Sequence, residues 1–401
     1  MNRDFDVIVV GARCAGSPAA MLLARRGYRV LVVDRATFPS DTLSTLVIHA
    51  TGVAALRRWG LLDRVVATGC PPIDRYVFDF GPVVIDGTPH PVDGNSTAYA
   101  PRRTILDKLL LDTAAEAGAE VREDFTVEEV VVDDGVVVGI RGRGPGRTST
   151  VERAAVVVGA DGWNSRVAHA VGAERYYDKP VLESIFYSFW SGLTVDGFTT
   201  CIRGDRGFAA IPTNDELTLV LAACPFAQAS TFRRDVEANY LATLDLVPTF
   251  ASKLVDAKRE ERVVGGGVPN FFRTPFGPGW VLVGDAGYTK DPITAQGITD
   301  AFGSAEGCAD AIHRALSGTD SFDDALTEFH DERDRAALPL YEFTTSLATL
   351  EPPPPEMQEL LAAIFGNQPA MDAFVSVTGG SLSPTDFFDP GNIAKLVDTP
   401  A

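Results

Sequence analysis

Three residues near the start of the chain have the types and spacing to hold a dinucleotide. Gly11 and Gly16 bracket a turn directly after the apolar run 6–10, and Asp34 closes a second apolar run, 30–33. The first glycine permits a tight turn and the second lets a helix pack closely on a strand, with backbone N–H groups at the new helix N-terminus facing a pyrophosphate. A carboxylate about 20 residues beyond the turn is placed to accept hydrogen bonds from an adenosine ribose. Arg13 replaces the middle glycine of this fingerprint. Its guanidinium either reaches a phosphate oxygen or stands as a surface charge on a loop that has lost its ligand. The fingerprint alone does not separate one adenine dinucleotide from another.

Two further glycine-acid turns follow, Asp161 with Gly162 and Gly284 with Asp285, each at the end of an apolar run. Each alone reads equally well as an ordinary turn. His49, His90, His169, His313 and His330 show no ligand spacing with one another or with cysteine, so no metal chemistry is expected.

The elements that carry these residues follow from the patterning. Residues 6–35 read as strand, turn, helix and strand; the first strand is β-branched and apolar, as burial on both faces requires. Asp41, Thr42, Ser44 and Thr45 stand as caps before a helix expected over about 46–59. Residues 72–100 alternate weakly between turn signals and read as a small antiparallel excursion. An amphipathic helix is expected next, with Ile105, Leu106, Leu109 and Leu110 on one face and Gly118 as its stop. The basic run 141–147 carries no aromatics and reads as a solvated hairpin loop. A strand over 154–159 delivers Asp161 to its carboxyl end, where open α/β sheets bind ligands. From about 176 to 223 the pattern turns to alternation, which predicts a second sheet, completed by a helix over about 233–244 and a strand near 262–266. Residues 280–283 form the last strand of the first sheet, ahead of a turn and a long helix. From about 322 the chain reads as helical, broken by prolines 352–355.

Composition bounds the function. A chain of 401 residues has material for two or three domains, and a formal charge of −19 disfavours nucleic acid and anionic membranes. Cys14, Cys70, Cys201, Cys224 and Cys308 are scattered without a C-x-x-C pair, as reduced thiols of a cytoplasmic protein are. The first residues run straight into a strand without a basic, then apolar, leader, so no secretion signal is expected. No apolar run reaches the length of a membrane span.

Taken together, the three turns in this order resemble the flavoprotein monooxygenase superfamily related to the aromatic hydroxylases, over roughly residues 6–316. The resemblance implies an α/β fold: a Rossmann-like domain for FAD and NAD(P)H built from 1–75, 101–175 and 265–320, a mixed β-sheet substrate domain from 76–100 and 176–264, and a C-terminal helical region, 321–401. It implies that Gly11, Ala12, Arg13, Ala15 and Gly16 hold the FAD pyrophosphate, Asp34 the ribose with Arg35 beside it, and Asp285 with Gly284 the ribityl and pyrophosphate oxygens. Arg103 matches the arginine opening the family's R-x-x-F/L-D-x-x-L helix, and Asp161 with Gly162 matches a motif linked to both FAD and NAD(P)H. Residues 292–301, including Gly297 and Ile298, resemble the proline loop and helix N-terminus that lie against the isoalloxazine, where a positive helix end stabilises reduced flavin.

The implied reaction is oxygenation of a small aromatic or polycyclic substrate: NAD(P)H reduces the flavin and molecular oxygen adds at its C4a carbon. Tyr187, Phe189, Phe208, Ile211 and Pro292 are the expected cavity walls, and Tyr288 an expected substrate contact. Tyr288, Lys290 and Asp291 stand where the family often has His and a small residue, and Ala295 where glycine is common. The Lys-Asp neighbours read as a proton relay or as a solvated turn, and no catalytic acid or base is assigned. Residues 207–212, GFAAIP, lack the W-x-W-x-I-P signature of flavin-dependent halogenases and the F-P-K strand of geranylgeranyl reductases. Double-bond reduction is the alternative expectation. Halogenation and non-catalytic prenyl binding rank below it.

Overall fold

The computed structural model describes residues 4–146 and 148–398; Arg147, the end of the basic hairpin run, lies outside them. Four apolar runs, Val7–Val10, Val30–Val33, Val156–Gly159 and Trp280–Leu282, are buried along their whole length and pair in parallel. With Glu120–Arg122 parallel at one edge and Phe276–Gly277 antiparallel at the other, they form a six-stranded sheet. Strand alternation divides this sheet into two faces. Val7, Val9, Val30, Val32 and Val158 pack under helices that include Gly16–Arg25, Arg103–Glu116 and Gly297–Ser317. Ile8, Val10, Leu31 and Val33 pack on the antiparallel sheet Thr126–Asp133, Val136–Arg143 and Ser149–Arg153. Continuous valine runs are what a strand covered on both sides requires.

A second, mixed sheet of eight strands lies beyond the first. Its centre is Glu183–Ser191, Thr218–Pro225, Arg206–Pro212 and Phe198–Arg203, all antiparallel. Tyr76–Asp79 then adds in parallel to Phe198–Arg203 and pairs antiparallel with Val84–Gly87, so this part of the antiparallel excursion expected at 72–100 is the edge of the large sheet, while Pro72–Ile73 and Ala98–Tyr99 pair as a small sheet of their own. Helices Val236–Leu244 and Pro248–Ala251 cover one face, and the C-terminal helices, among them Gln368–Thr378, cover the other.

Two expected helix starts shift. The helix expected from 46 begins at Ala50, because Leu46 adopts a φ of +66° and Ile48 bridges to Tyr99 instead. The helix expected from 233 begins at Val236, after a single tighter turn, with the Asp235 carboxylate accepting from Ala238 N–H at 3.0 Å.

Candidate active site

The three glycine-acid turns meet. Gly11 has a φ of +103°, and a Cβ there would lie 2.4 Å from the Ala160 carbonyl oxygen. A Cβ on Gly16 would lie 1.8 Å from the Gly11 oxygen, and one on Gly284 2.8 Å from the Ala15 Cβ. Each turn is thus seated on another, and only the missing side chains allow it. Asp34 faces the first loop, where one oxygen accepts from Ala12 N–H and the other from Ala36 N–H, both at 2.8 Å. Each oxygen keeps a lone pair for a hydroxyl donor. The Ala12 N–H expected for a phosphate is therefore engaged with Asp34.

Arg13 is drawn into the protein. Its guanidinium pairs with Asp107, donates to Ser40 Oγ at 3.0 Å and lies 5.2 Å from the Phe38 ring centroid. It is not a free surface charge. Asp107 itself is fully buried, gripped by Arg103 through two hydrogen bonds of 2.9 and 3.1 Å, and accepts from the Cys14 thiol at 3.3 Å. A carboxylate shared by two guanidiniums leaves a net positive locus beside the first loop. The sequence pattern named Arg103 as the functional member of its helix; the fold makes Asp107, which matches the aspartate of the same R-x-x-F/L-D-x-x-L pattern and stands i,i+4 from Arg103, the hub.

Asp285 is open to solvent yet has protein on every side, as at the floor of a cleft. That surrounding protein raises its pKa to about 6, with Arg103 opposing the rise. Asp161, by contrast, is spent on its own loop: it accepts from Ser165 Oγ at 2.5 Å and from Arg166 N–H at 2.6 Å, fixing the turn around Gly162. Beside that turn opens a cleft of about 390 Å³ lined by Asn164, His169, Arg175 and Arg273 among others. The two guanidiniums lie against the Phe271 ring, at 4.0 and 4.3 Å from its centroid. Burial and the neighbouring Arg175 lower the Arg273 pKa to about 10.

The turn Pro292–Thr294 is fixed at both ends. Asp291 accepts from Ile293 N–H at 3.1 Å, and the Thr294 carbonyl is 3.1 Å from His49 Nε2. His49 Nδ1 is 2.7 Å from the Tyr76 hydroxyl, and burial lowers the His49 pKa to about 4, so the imidazole is neutral. Sequence reasoning missed His49, because its role depends on Tyr76 and Thr294, which are remote in the chain. Ala295 takes up the strain with a φ of +53°. The helix Gly297–Ser317 starts immediately afterwards, with Gly297 exposed and no atom near its Cβ position, while Ile298 is buried beneath.

Lys290 and Asp291 do not form a solvated turn. Both are buried, and they point apart: Lys290 to Asp300 and the Tyr288 hydroxyl, Asp291 back to its own turn. The Tyr288 ring stacks on Phe272 with centroids 4.8 Å apart, and Tyr288 packs in a small core with Phe272 and Tyr341. Tyr187, Phe189 and Ile211 share one apolar cluster with Ala295, and Pro292 opens the adjoining turn. Phe208 does not join them. It lies three residues from Ile211, hence on the opposite face of its strand, where it packs 4.5 Å from Phe250.

Known proteins resemble this architecture throughout. The digeranylgeranylglycerophospholipid reductase of Methanocella arvoryzae is 29% identical over 345 residues, 83% of this chain and 83% of that protein. Protein FixC of Salmonella typhi is 27% identical over 376 residues, covering 84% and 83%. Among solved structures, the myxobacterial chondrochloren halogenase CndH superposes with a TM-score of 0.81 at 24% identity, over 99% of this chain and 96% of that one. PqsL of Pseudomonas aeruginosa, described as a probable FAD-dependent monooxygenase, superposes with a TM-score of 0.69 at 18% identity, over 98% and 100%. The FAD binding domain family matches residues 4–344, and this chain belongs to that family of FAD-dependent oxidoreductases.

Proposed function

We propose that the chain is an NAD(P)H-dependent monooxygenase that oxygenates an apolar aromatic or polycyclic substrate. The observation carrying this reading is the face formed by Tyr187, Phe189, Ala209 and Ile211 with Ala295. Along Arg206–Pro212 the side chains that reach that face, Ala209 and Ile211, are small or aliphatic, and the apolar cluster they join suits a ring system. Bound FAD supplies the redox chemistry. The chain's residues position it: Gly11 and Gly16 let the backbone approach the pyrophosphate, with Ala15 between them; Asp34 accepts ribose hydroxyls, and Arg35 stands beside it. Arg103 offsets phosphate charge, Asp285 accepts from the ribityl chain next to Gly284, and the N–H groups around Gly297 and Ile298 favour negative charge on the nearby ring edge. Arg13 acts here through Asp107. Asp161 and Gly162 shape the wall of the basic cleft, where Arg175 and Arg273 suit the phosphates of the nicotinamide donor. Tyr288 supports the site through Asp300. Five unpaired buried cysteines fit a cytoplasmic enzyme, and among the described residues no helix is long and apolar enough to cross a membrane.

The test is substrate-stimulated NAD(P)H oxidation over a panel of polycyclic aromatic and isoprenoid compounds, followed by turnover under labelled oxygen gas. One labelled atom in the product is expected. Reduction of a carbon–carbon double bond is the second reading, favoured by the reductase named among the relatives. Full turnover without oxygen and a gain of two hydrogens would establish it in place of the first.

Asp285 gives this site a pH dependence. Its ionised form is the better acceptor for a ribityl hydroxyl, and it ionises at about 6. On the acid side, FAD affinity should therefore rise as pH climbs through about 6. Asp285→Asn should flatten that profile, and Asp285→Ala and Asp34→Ala should each weaken FAD by about tenfold or more, the loss of a charged hydrogen bond. In the FAD-free protein the sign reverses: the folded state binds the proton more tightly than the unfolded chain, so stability falls as pH rises through the same window. Fluorescence recovery of released FAD measures the first effect, and thermal melts the second.

A further inference from the structure

Glu183 and Asp291 are two carboxyl groups buried against each other, 0% and 1% exposed. Glu183 opens the strand Glu183–Ser191 of the large sheet, and Asp291 caps the turn Pro292–Thr294. Neither Glu183 oxygen has a hydrogen-bond donor, and Asp291 Oδ2 has none; Asp291 Oδ1 is satisfied by Ile293 N–H. Two acceptors facing each other in the interior cannot both be ionised without a large desolvation and repulsion penalty. One proton placed between them satisfies the otherwise orphaned oxygens and removes the like-charge contact.

We propose that Glu183 and Asp291 share one proton, carried by Glu183, and that this carboxyl–carboxylate clasp fastens the turn ahead of the Gly297–Ser317 helix to the large sheet. The neighbours agree with this placement of the proton. Burial first, and then the Asp291 carboxylate, hold the Glu183 carboxyl well above the usual carboxylate range. Cys224, on the adjoining strand Thr218–Pro225, is registered with Ser184 and so lies on the other face of the sheet; it is close enough to add to the rise at Glu183, and burial keeps its thiol neutral. The Lys290 ammonium beside Asp291 in sequence is committed to Asp300. From Asn270–Arg273, Asn270 Oδ1 accepts from the Asp291 backbone N–H at 2.7 Å, and Arg273 is turned toward Ala286 and Trp163. From Val264–Gly266 there is no titratable side chain. Among the described residues no cation is committed to neutralising the pair. Glu183 and Asp291 are positioning residues, and the clasp operates whether the reduced flavin meets oxygen or a double bond.

The proton makes the clasp sensitive to alkali. Glu183 binds it more tightly in the folded state than in the unfolded chain, so stability falls as pH rises from about 5, with the unfolding constant growing by at most about tenfold per pH unit for one proton. The Glu183→Gln variant keeps a donor that does not titrate. FAD release on dilution of the holoprotein should grow by about tenfold from neutral to alkaline pH in the wild type, and stay flat in Glu183→Gln. Glutamate-specific carbon-13 labelling of the wild-type holoprotein gives an independent measurement: at neutral pH one protonated carboxyl stretch should shift on labelling. That result stands even if the variant fails to fold. Parallel pH profiles of wild type and Glu183→Gln, or the absence of a label-sensitive protonated carboxyl at neutral pH, overturn the proposal.

Discussion

Gly16→Ala is expected to yield a chain that does not retain FAD and unfolds far more readily than the wild type. The added methyl would sit 1.8 Å from the Gly11 carbonyl oxygen, 3.0 Å from its carbon and 3.1 Å from the Ala160 side chain. The first of these is backbone that cannot turn aside. Gly11 also lies against the Ala160 carbonyl, so relief by moving the first turn runs into the second. The cost is expected to reach about 3 to 5 kcal/mol, in the range that marks a single substitution as structurally diagnostic. Thermal unfolding and FAD content of the purified variant check it. Gly297→Ala is the contrasting case for folding, because no protein atom lies near the added methyl, and it should keep the wild-type melting temperature.

Asp107→Ala carries the second large effect. Its removal strips Arg103 of both side-chain acceptors, Arg13 of its carboxylate and Cys14 of its acceptor in one step. Arg103 is only 8% exposed, so its charge remains buried and unpaired. Breaking such a pair from one side costs about 3 to 5 kcal/mol. A melting curve for Asp107→Ala resembling that of the wild type would mean that the two arginines find other partners. Added FAD should recover more stability in this variant than in the wild type if the freed Arg103 turns to a phosphate, and equal recovery argues against that role.

Much of this was legible in the chain because the first sheet states itself locally. Val7–Val10, Val30–Val33 and Val156–Gly159 are continuous, valine-rich apolar runs, with Gly11, Asp34 and Asp161 at or just beyond their ends, and burial on both faces needs nothing subtler. The FAD family followed from the order of the three turns. What could not be read was which face of a strand looks where, and which remote residue a side chain meets. Phe208 and Ile211 stand three apart in one apolar segment, and only the sheet's packing shows that they look in opposite directions. Lys290 and Asp291 read as a proton relay or as a solvated turn, because adjacent charges carry no signal of what they meet; their partners Asp300 and Glu183 come from different layers. His49 carried no local signature at all. Its two ring partners lie 27 and 245 residues away.

The assembly of the first sheet from distant segments has a consequence for biosynthesis. Val7–Val10 takes its neighbours from Val30–Val33 and Val156–Gly159, and the latter in turn pairs with Trp280–Leu282. The turn after that last strand is the one on which Gly284 meets Ala15. At ribosomal speeds of about 5 to 20 residues per second, the opening strand leaves the exit tunnel roughly 15 to 60 seconds before its cofactor cradle can close. For that interval the nascent chain exposes an apolar valine strand with an unpaired edge, the kind of surface that chaperones capture and that aggregates when they do not.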